Sequence, residues 1–278
     1  MTPNTPQLSA PHKSGPKRIP MPRKLQTLLS LVLGVALWSS QNSQAQVLEH
    51  RIVLIGDSTM APNNGYGQAL CERLNGLAEC WNLAQNGRST KSFRAEGLWA
   101  KALERMRSNS APQNQWVLIQ FGHNDQPGKP GRSTELETEY PGNLKQYVSE
   151  ARTAGLKPIL VTPLSRRSFK DGQHVDDLAP WALSMKAVAQ ELQVPLIDLH
   201  ASSRAHVSAI GTTAADRYAV SPPGTKGFDR THLGPLGACI FAEQVLAQLP
   251  QATAPMLKPG TPVDCEALAS KTTNDPKN

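Results

Sequence analysis

The sequence predicts an α/β fold: a parallel β-sheet with helices on both faces. Two observations carry this. Five short segments are almost continuously apolar and β-branched, and stretches of helical periodicity alternate with them. Strands buried on both faces read as unbroken apolar runs, whereas half-exposed strands alternate. A regular β, α, β, α order is the pattern of a parallel sheet, because parallel neighbours need a crossover between them. The length of 278 residues allows one large α/β domain or two small ones, and no internal repeat argues for two.

The strand signals lie at 51–56 (RIVLIG), 80–84 (CWNLA), 115–121 (QWVLIQF), 157–162 (KPILVT) and 194–199 (VPLIDL). Helical patterns fall at about 66–75, 97–108, 141–154, 178–192 and 235–248. Pro141 suits a first helical turn, where its missing N–H has no intrahelical partner to lose. Asn75-Gly76 and Ala154-Gly155 suit helix ends. The segment 251–278 is rich in Pro, Thr and Lys and reads as an irregular tail. The domain expectation is thus a leader at 1–45, one domain at 46–250 and that tail.

Net charge is +7, but it is unevenly spread. Residues 1–45 hold Lys13, Lys17, Arg18, Arg23 and Lys24 and no acidic residue, which leaves 24 basic against 22 acidic residues for the rest. A nucleic-acid binder carries a basic stripe on its folded part. None is evident here, so nucleic acid is excluded as a partner. Residues 1–45 read instead as an export signal: Arg23 and Lys24, an apolar run from Leu28 to Trp38, then Ser43-Gln44-Ala45 for cleavage. Met21 offers an alternative start. A run of this length does not span a bilayer as a permanent helix, which needs about 20 residues, so no membrane span is expected. The expected location is secreted or periplasmic, and the expected state a monomer.

Cys71, Cys80, Cys239 and Cys265 are the four cysteines. Export to an oxidising compartment favours disulfides. Of three possible pairings, the sequence-local one, Cys71–Cys80 with Cys239–Cys265, is favoured. No Cys or His spacing suits a metal.

In a parallel sheet the reactive groups sit in loops after the carboxyl ends of strands. Those loops here hold Gly56-Asp57-Ser58-Thr59, Gln85-Asn86-Gly87-Arg88-Ser89, Gly122-His123-Asn124-Asp125 and Pro163-Leu164-Ser165-Arg166-Arg167. Ser58 at a strand end can attack a carbonyl while its own N–H stabilises the oxyanion, although a helix cap would also suit it. Of seven histidines, His232 stands out because Asp229 lies three residues before it, in GFDRTHLG. One turn can aim Asp229 at one imidazole nitrogen and leave the other for Ser58. Gly87 can present an unobstructed N–H and Asn124 a side-chain amide to the same oxyanion. His123, Asp125, Asp198 and His200 are read as structural, and Trp81, Trp99, Trp116 and Trp181 as core or helix-face residues.

IGDSTM at 55–60, NLAQNGRSTKSF at 82–93, FGHND at 121–125 and DRTHL at 229–233 resemble the four blocks of the SGNH (GDSL-type) hydrolases, in order and spacing. GYGQ at 65–68, GRSTKSF at 87–93 and the TP..RR stretch at 162–167 resemble the rhamnogalacturonan acetylesterase branch, carbohydrate esterase family 12. The resemblance covers about 51–248. It implies a flavodoxin-like three-layer α/β/α sandwich with a five-stranded parallel sheet. It also implies Ser58 as nucleophile, His232 as general base and acid, Asp229 as orienting carboxylate, and an oxyanion hole from Ser58, Gly87 and Asn124. No cofactor or metal is required. The implied partner is an acetylated pectic polysaccharide, above all rhamnogalacturonan. Homogalacturonan, xylan and small aryl or acyl esters are the alternative substrates, and an inactive carbohydrate-binding protein is the alternative class. Arg88, Arg166 and Arg167 stand beside the site and are expected to seat the uronate carboxylate.

Overall fold

The centre of the computed structural model is a five-stranded parallel sheet. It comprises β1 (His50–Gly56), β2 (Ala78–Asn82), β3 (Asn114–Gln120), β4 (Lys157–Val161) and β7 (Leu196–Ile197), in the order β2-β1-β3-β4-β7. The structure describes residues 48–107, 112–259 and 263–273. The leader expected at 1–45 lies outside them. Strands β5 (Phe169–Lys170) and β6 (Gln173–His174) form a separate antiparallel hairpin.

The unbroken apolar runs are explained by two cores, one on each face. Ile52, Leu54, Leu118, Ile159 and Val161 point one way, onto α1 (Gly67–Cys71), α6 (Leu199–Asp216) and α7 (Pro235–Leu246). Their sequence neighbours Val53, Ile55, Val117, Ile119 and Leu160 point the other way. They meet α2 (Thr90–Ala95), α3 (Leu98–Met106), α4 (Glu139–Thr153) and α5 (Ala179–Glu191). Successive side chains of a strand alternate between faces, so a strand apolar at every position must be covered twice. At roughly 1.5–3 kcal/mol for each large apolar side chain buried, these two layers are the main stabilising term of the domain.

Boundaries differ from expectation where one partner is missing. The fifth strand pairs on one side only, and just Leu196 and Ile197 join the sheet. The rest of its expected length opens a long helix that periodicity did not reveal. Asp198 caps α6 by accepting the Ala201 N–H at 3.2 Å, which places an N-cap where a strand end was expected. Gly211 then interrupts α6 with a non-helical conformation, which blurs its apolar period. Helix α2 was likewise not foreseen; Ser89 and Ser92 close a reciprocal capping box at its start.

The tail expected to be irregular is not so. Gln251–Met256 is a 3-10 helix and Cys265–Thr273 is helix α8. Met256 is fully buried, the Asn75 N–H donates to its carbonyl at 2.9 Å, and the Lys258 N–H donates to Arg73 O at 2.9 Å. Asp264 accepts the Ala267 N–H at 3.1 Å, so a cap starts α8 despite the Thr- and Lys-rich composition. Both disulfides form in the favoured pairing, Cys71–Cys80 tying α1 to β2 and Cys239–Cys265 tying α7 to α8. Among the described residues, no helix is long and apolar enough to cross a membrane.

The Cys239–Cys265 bridge closes a 26-residue separation. Replacing both cysteines with serine should lower stability by about 3 kcal/mol, the usual effect of closing a loop of this size. The expected fall in Tm is roughly 6–12 °C, read by thermal denaturation, with the variant insensitive at this bridge to added reductant.

Candidate active site

Strand β1 delivers its chain into a turn fixed from below. The Asp57 carboxylate is fully buried and accepts the Thr59 N–H at 2.9 Å and the Thr59 hydroxyl at 2.8 Å. Gln120, at the end of β3, donates to Thr59 Oγ1 at 2.5 Å and accepts from the Tyr66 hydroxyl at 2.5 Å. Gly65 and Gly67 flank that tyrosine because nothing larger fits: a Cβ would lie 2.3 Å from the Thr59 carbonyl and 2.2 Å from the Met60 carbonyl. Burial pushes the Asp57 carboxyl up, but the neighbouring His123 imidazole and the Thr59 donors outweigh it and hold it below the usual carboxylate range. His123 is itself buried, which lowers its basicity; its Nδ1 lies 3.3 Å from Asp57 Oδ2.

Ser58 sits on top of this turn. Its Oγ lies 2.9 Å from His232 Nε2, and His232 Nδ1 lies 3.0 Å from Asp229 Oδ2. The other oxygen of Asp229 accepts the N–H groups of Thr231 and His232, both at 2.7 Å. Burial raises the Asp229 carboxyl, yet these donors and the imidazole more than reverse it, so it is held ionised below its ordinary range. An ionised Asp229 accepts Nδ1–H and leaves the Nε2 lone pair to take the Ser58 proton.

The loop that carries Asp229 and His232 is fastened to the β4 exit. Arg167, fully buried, donates to the carbonyls of His232 at 2.9 Å, Asp229 at 3.2 Å and Thr231 at 3.4 Å. Its backbone N–H donates to Arg230 O at 2.8 Å. Burial lowers the guanidinium to about 10, still charged at neutral pH. The expectation that Arg167 seats substrate is therefore corrected: its two terminal nitrogens face three backbone carbonyls, and it does not line the cleft. Arg88 also turns away from the cleft, into a 2.7 Å ion pair with Glu96. Arg166 does line the cleft, held by a 2.7 Å pair with Asp177.

The N–H groups of Ser58 and Gly87 have no acceptor among the described residues. Gly87 reaches its place with φ +76°, a conformation that L side chains rarely adopt. Asn124 spends one amide hydrogen on Arg88 O at 3.1 Å and keeps a second. Ser58, Gly87, Asn124 and His232 line one open cleft of about 420 Å³. Asn64, Lys129 and Arg132 line it too, and the strand-end reasoning missed them. The last two lie in GKPGR, a few residues past FGHND; following that loop further would have found them.

Of the residues read as structural, His123 lines the cleft, whereas Asp125 and His200 do not. Asp125 accepts the Thr90 N–H at 3.0 Å and the Thr90 and Thr134 hydroxyls, binding the β3 exit to the start of α2. Burial pushes its carboxyl up to about 7. His200 meets Asp176 at 2.7 Å, away from the cleft.

Comparison with known proteins gives consistent results. Residues 54–238 match the GDSL-like Lipase/Acylhydrolase family. The chain is 35% identical over 171 residues to the "Probable rhamnogalacturonan acetylesterase YesY" of Bacillus subtilis, covering 59% of this chain and 76% of that one. It is 35% identical over 169 residues to the rhamnogalacturonan acetylesterase RhgT of the same organism, covering 58% and 69%. The structure of Axe2, an acetylxylan esterase from Geobacillus stearothermophilus, superposes with a TM-score of 0.54 at 19% identity, covering 71% of this chain and 93% of that one. This last likeness is one of fold.

Two outcomes follow. Arg167→Met strips three part-buried carbonyls of their donor and should cost about 3–5 kcal/mol in denaturant unfolding, at roughly 1–3 kcal/mol for each unsatisfied group. It should also lower kcat on an aryl acetate by about 100-fold, because His232 loses its placement. Asp125 binds its proton more tightly folded than unfolded, so its contribution declines as pH rises from about 4 to 7. The stability of Asp125→Asn relative to wild type should therefore rise across that window, measured by urea unfolding at each pH.

Proposed function

The chain belongs to the GDSL-like lipase/acylhydrolase family and is a carboxylic ester hydrolase, and from that premise we propose that it removes O-acetyl groups from pectic polysaccharide, above all rhamnogalacturonan. The observation that carries this reading is the hydrogen-bonded series Ser58–His232–Asp229 at 2.9 and 3.0 Å, opening onto a cleft with unused N–H donors. The two relatives named as rhamnogalacturonan acetylesterases support the substrate. The leader-like composition of residues 1–45 supports export, which would bring the enzyme to a polymer outside the cell.

In the proposed reaction Ser58 Oγ attacks the acetyl carbonyl carbon as its proton passes to His232 Nε2. The carbonyl oxygen becomes an oxyanion and takes hydrogen bonds from the Ser58 and Gly87 N–H groups and the remaining Asn124 amide hydrogen. His232 returns the proton to the departing sugar oxygen, leaving acetyl-Ser58. Water, deprotonated by His232, then releases acetate and restores the serine. Asp229 holds the tautomer and stabilises the imidazolium throughout. Each oxyanion donor is worth about 100- to 1000-fold in rate in such sites.

Acetate release from acetylated rhamnogalacturonan, homogalacturonan and xylan tests the reading. Wild type should act on rhamnogalacturonan. Ser58→Ala should lose at least about 10⁴-fold, and Asp229→Asn about 10⁴-fold. Release from xylan alone would move the substrate and keep the machinery. No release, together with no fluorophosphonate labelling of Ser58, would overturn the assignment.

A further inference from the structure

The catalytic cleft carries cations that the protein does not neutralise. Lys129, Arg132 and Arg166 all line it. Arg166 has Asp177. Lys129 and Arg132 form no ion pair among the described residues. The Lys129 ammonium donates only to the His123 carbonyl. Arg132 Nη1 stands 3.4 Å from Gly87 O and 3.4 Å from Asn124 Oδ1, at the long limit of hydrogen bonding. Elsewhere the half-buried Arg73, Arg94 and Arg230 are matched by Glu243, Glu150 and Asp216, and the buried Arg51 by Glu79, while the buried Arg167 is held by backbone carbonyls. A partly desolvated cation without a counter-charge is unfavourable. Burial and the nearby Arg166 and Arg132 push the Lys129 ammonium below its ordinary range.

These cations are not on a loose surface loop. Ser133 Oγ donates to Gln126 O at 2.8 Å and accepts the Lys129 N–H at 2.8 Å. The N–H groups of Arg132 and Ser133 both return to Lys129 O, at 3.0 and 2.9 Å. Thr134 N–H donates to Asp125 O at 2.9 Å, so the loop is anchored to the β3 exit beside Asn124. Arg132 lies over the second strand-end loop, where a Cβ at Gly87 would come within 3.3 Å of its Nη1. An anion held here would lie next to the oxyanion donors, hence next to the ester.

We propose that Lys129 and Arg132, joined by Arg166, form a carboxylate subsite that seats a uronate of the sugar chain beside the acetylated hydroxyl. The inference rests on the reading of this cleft as a polysaccharide deacetylating site and deepens it: the subsite selects uronate-bearing chains over neutral ones. The planar guanidinium takes a carboxylate on two parallel N–H bonds, and the ammonium adds a point charge.

The test is inhibition of 4-nitrophenyl acetate hydrolysis by trigalacturonic acid, with xylotriose as the neutral comparison. Trigalacturonic acid should inhibit wild type competitively and less well as salt is raised. Its Ki should rise about tenfold or more in Lys129→Met and in Arg132→Met, the scale of losing one hydrogen bond to a charged group. Xylotriose should inhibit wild type and variants alike. Lys101→Met, an exposed lysine on α3, is the control expected to match wild type. Thermal midpoints report folding, with Lys129→Gln as the second variant. Equal trigalacturonic acid Ki in wild type and in the variant carrying both Lys129→Met and Arg132→Met, or stronger inhibition by xylotriose, overturns the subsite. So does a fall in kcat for Arg132→Met with Ki unchanged, which would place the guanidinium on the oxyanion instead. Wild type that does not hydrolyse the aryl acetate at all sinks the enzymatic reading itself, whereas hydrolysis without salt-sensitive inhibition sinks the subsite alone.

Discussion

The buried guanidinium of Arg167 is the tie on which the site depends. Ser58 is fixed by a strand of the sheet, but Asp229 and His232 belong to a loop with no strand of its own. Backbone bonds fix its far edge, with Leu233 N–H on Asn64 O and Gly234 N–H on Tyr218 O, both at 2.8 Å. Arg167 gathers three of its carbonyls and holds them against the exit of β4, a central strand. The nucleophile and the base are thereby referred to the same rigid sheet, and a 2.9 Å contact between residues 174 apart becomes reproducible.

Beneath Ser58 the logic is similar but the means differ. Tyr66, Gln120, Thr59 and Asp57 form a buried series of hydrogen bonds joining the exits of β1 and β3. Such a network is stabilising only when every member is satisfied, because a half-satisfied polar core costs more than an apolar one. Two glycines at 65 and 67 let Tyr66 approach closely enough to join it, and the second Asp57 oxygen faces His123 Nδ1 at 3.3 Å. Rigidity under the nucleophile therefore comes from polar groups, while the two faces of the sheet are held by apolar burial.

The legible features were those with a local physical signature. Doubly buried strands announce themselves by unbroken apolar runs, and Asp229-x-x-His232 by a single turn. Helix α6 was hidden because its start looks like the end of an apolar strand and Gly211 breaks its period. The helical tail was hidden because its order comes from a disulfide and from backbone bonds to residues near 73–75. Arg167 misled for a different reason. An arginine at a strand end beside a reactive loop reads as a substrate contact, and only three-dimensional placement shows it facing three carbonyls. Lys129 and Arg132 carry no such local signature, because cations in a Gly- and Pro-rich turn past the strand end look like ordinary solvated surface charges.

The 174-residue gap between Ser58 and His232 also sets a clock. At about 5–20 residues per second, synthesis of that interval takes on the order of 10–30 s. During it the nucleophile exists without its base, and no folded fragment can cleave an ester by this route. The last structural bridge, Cys239–Cys265, lies beyond His232 and needs an oxidant as well. A growing chain is thus chemically silent until residue 232 has been made and its loop is seated against Ser58.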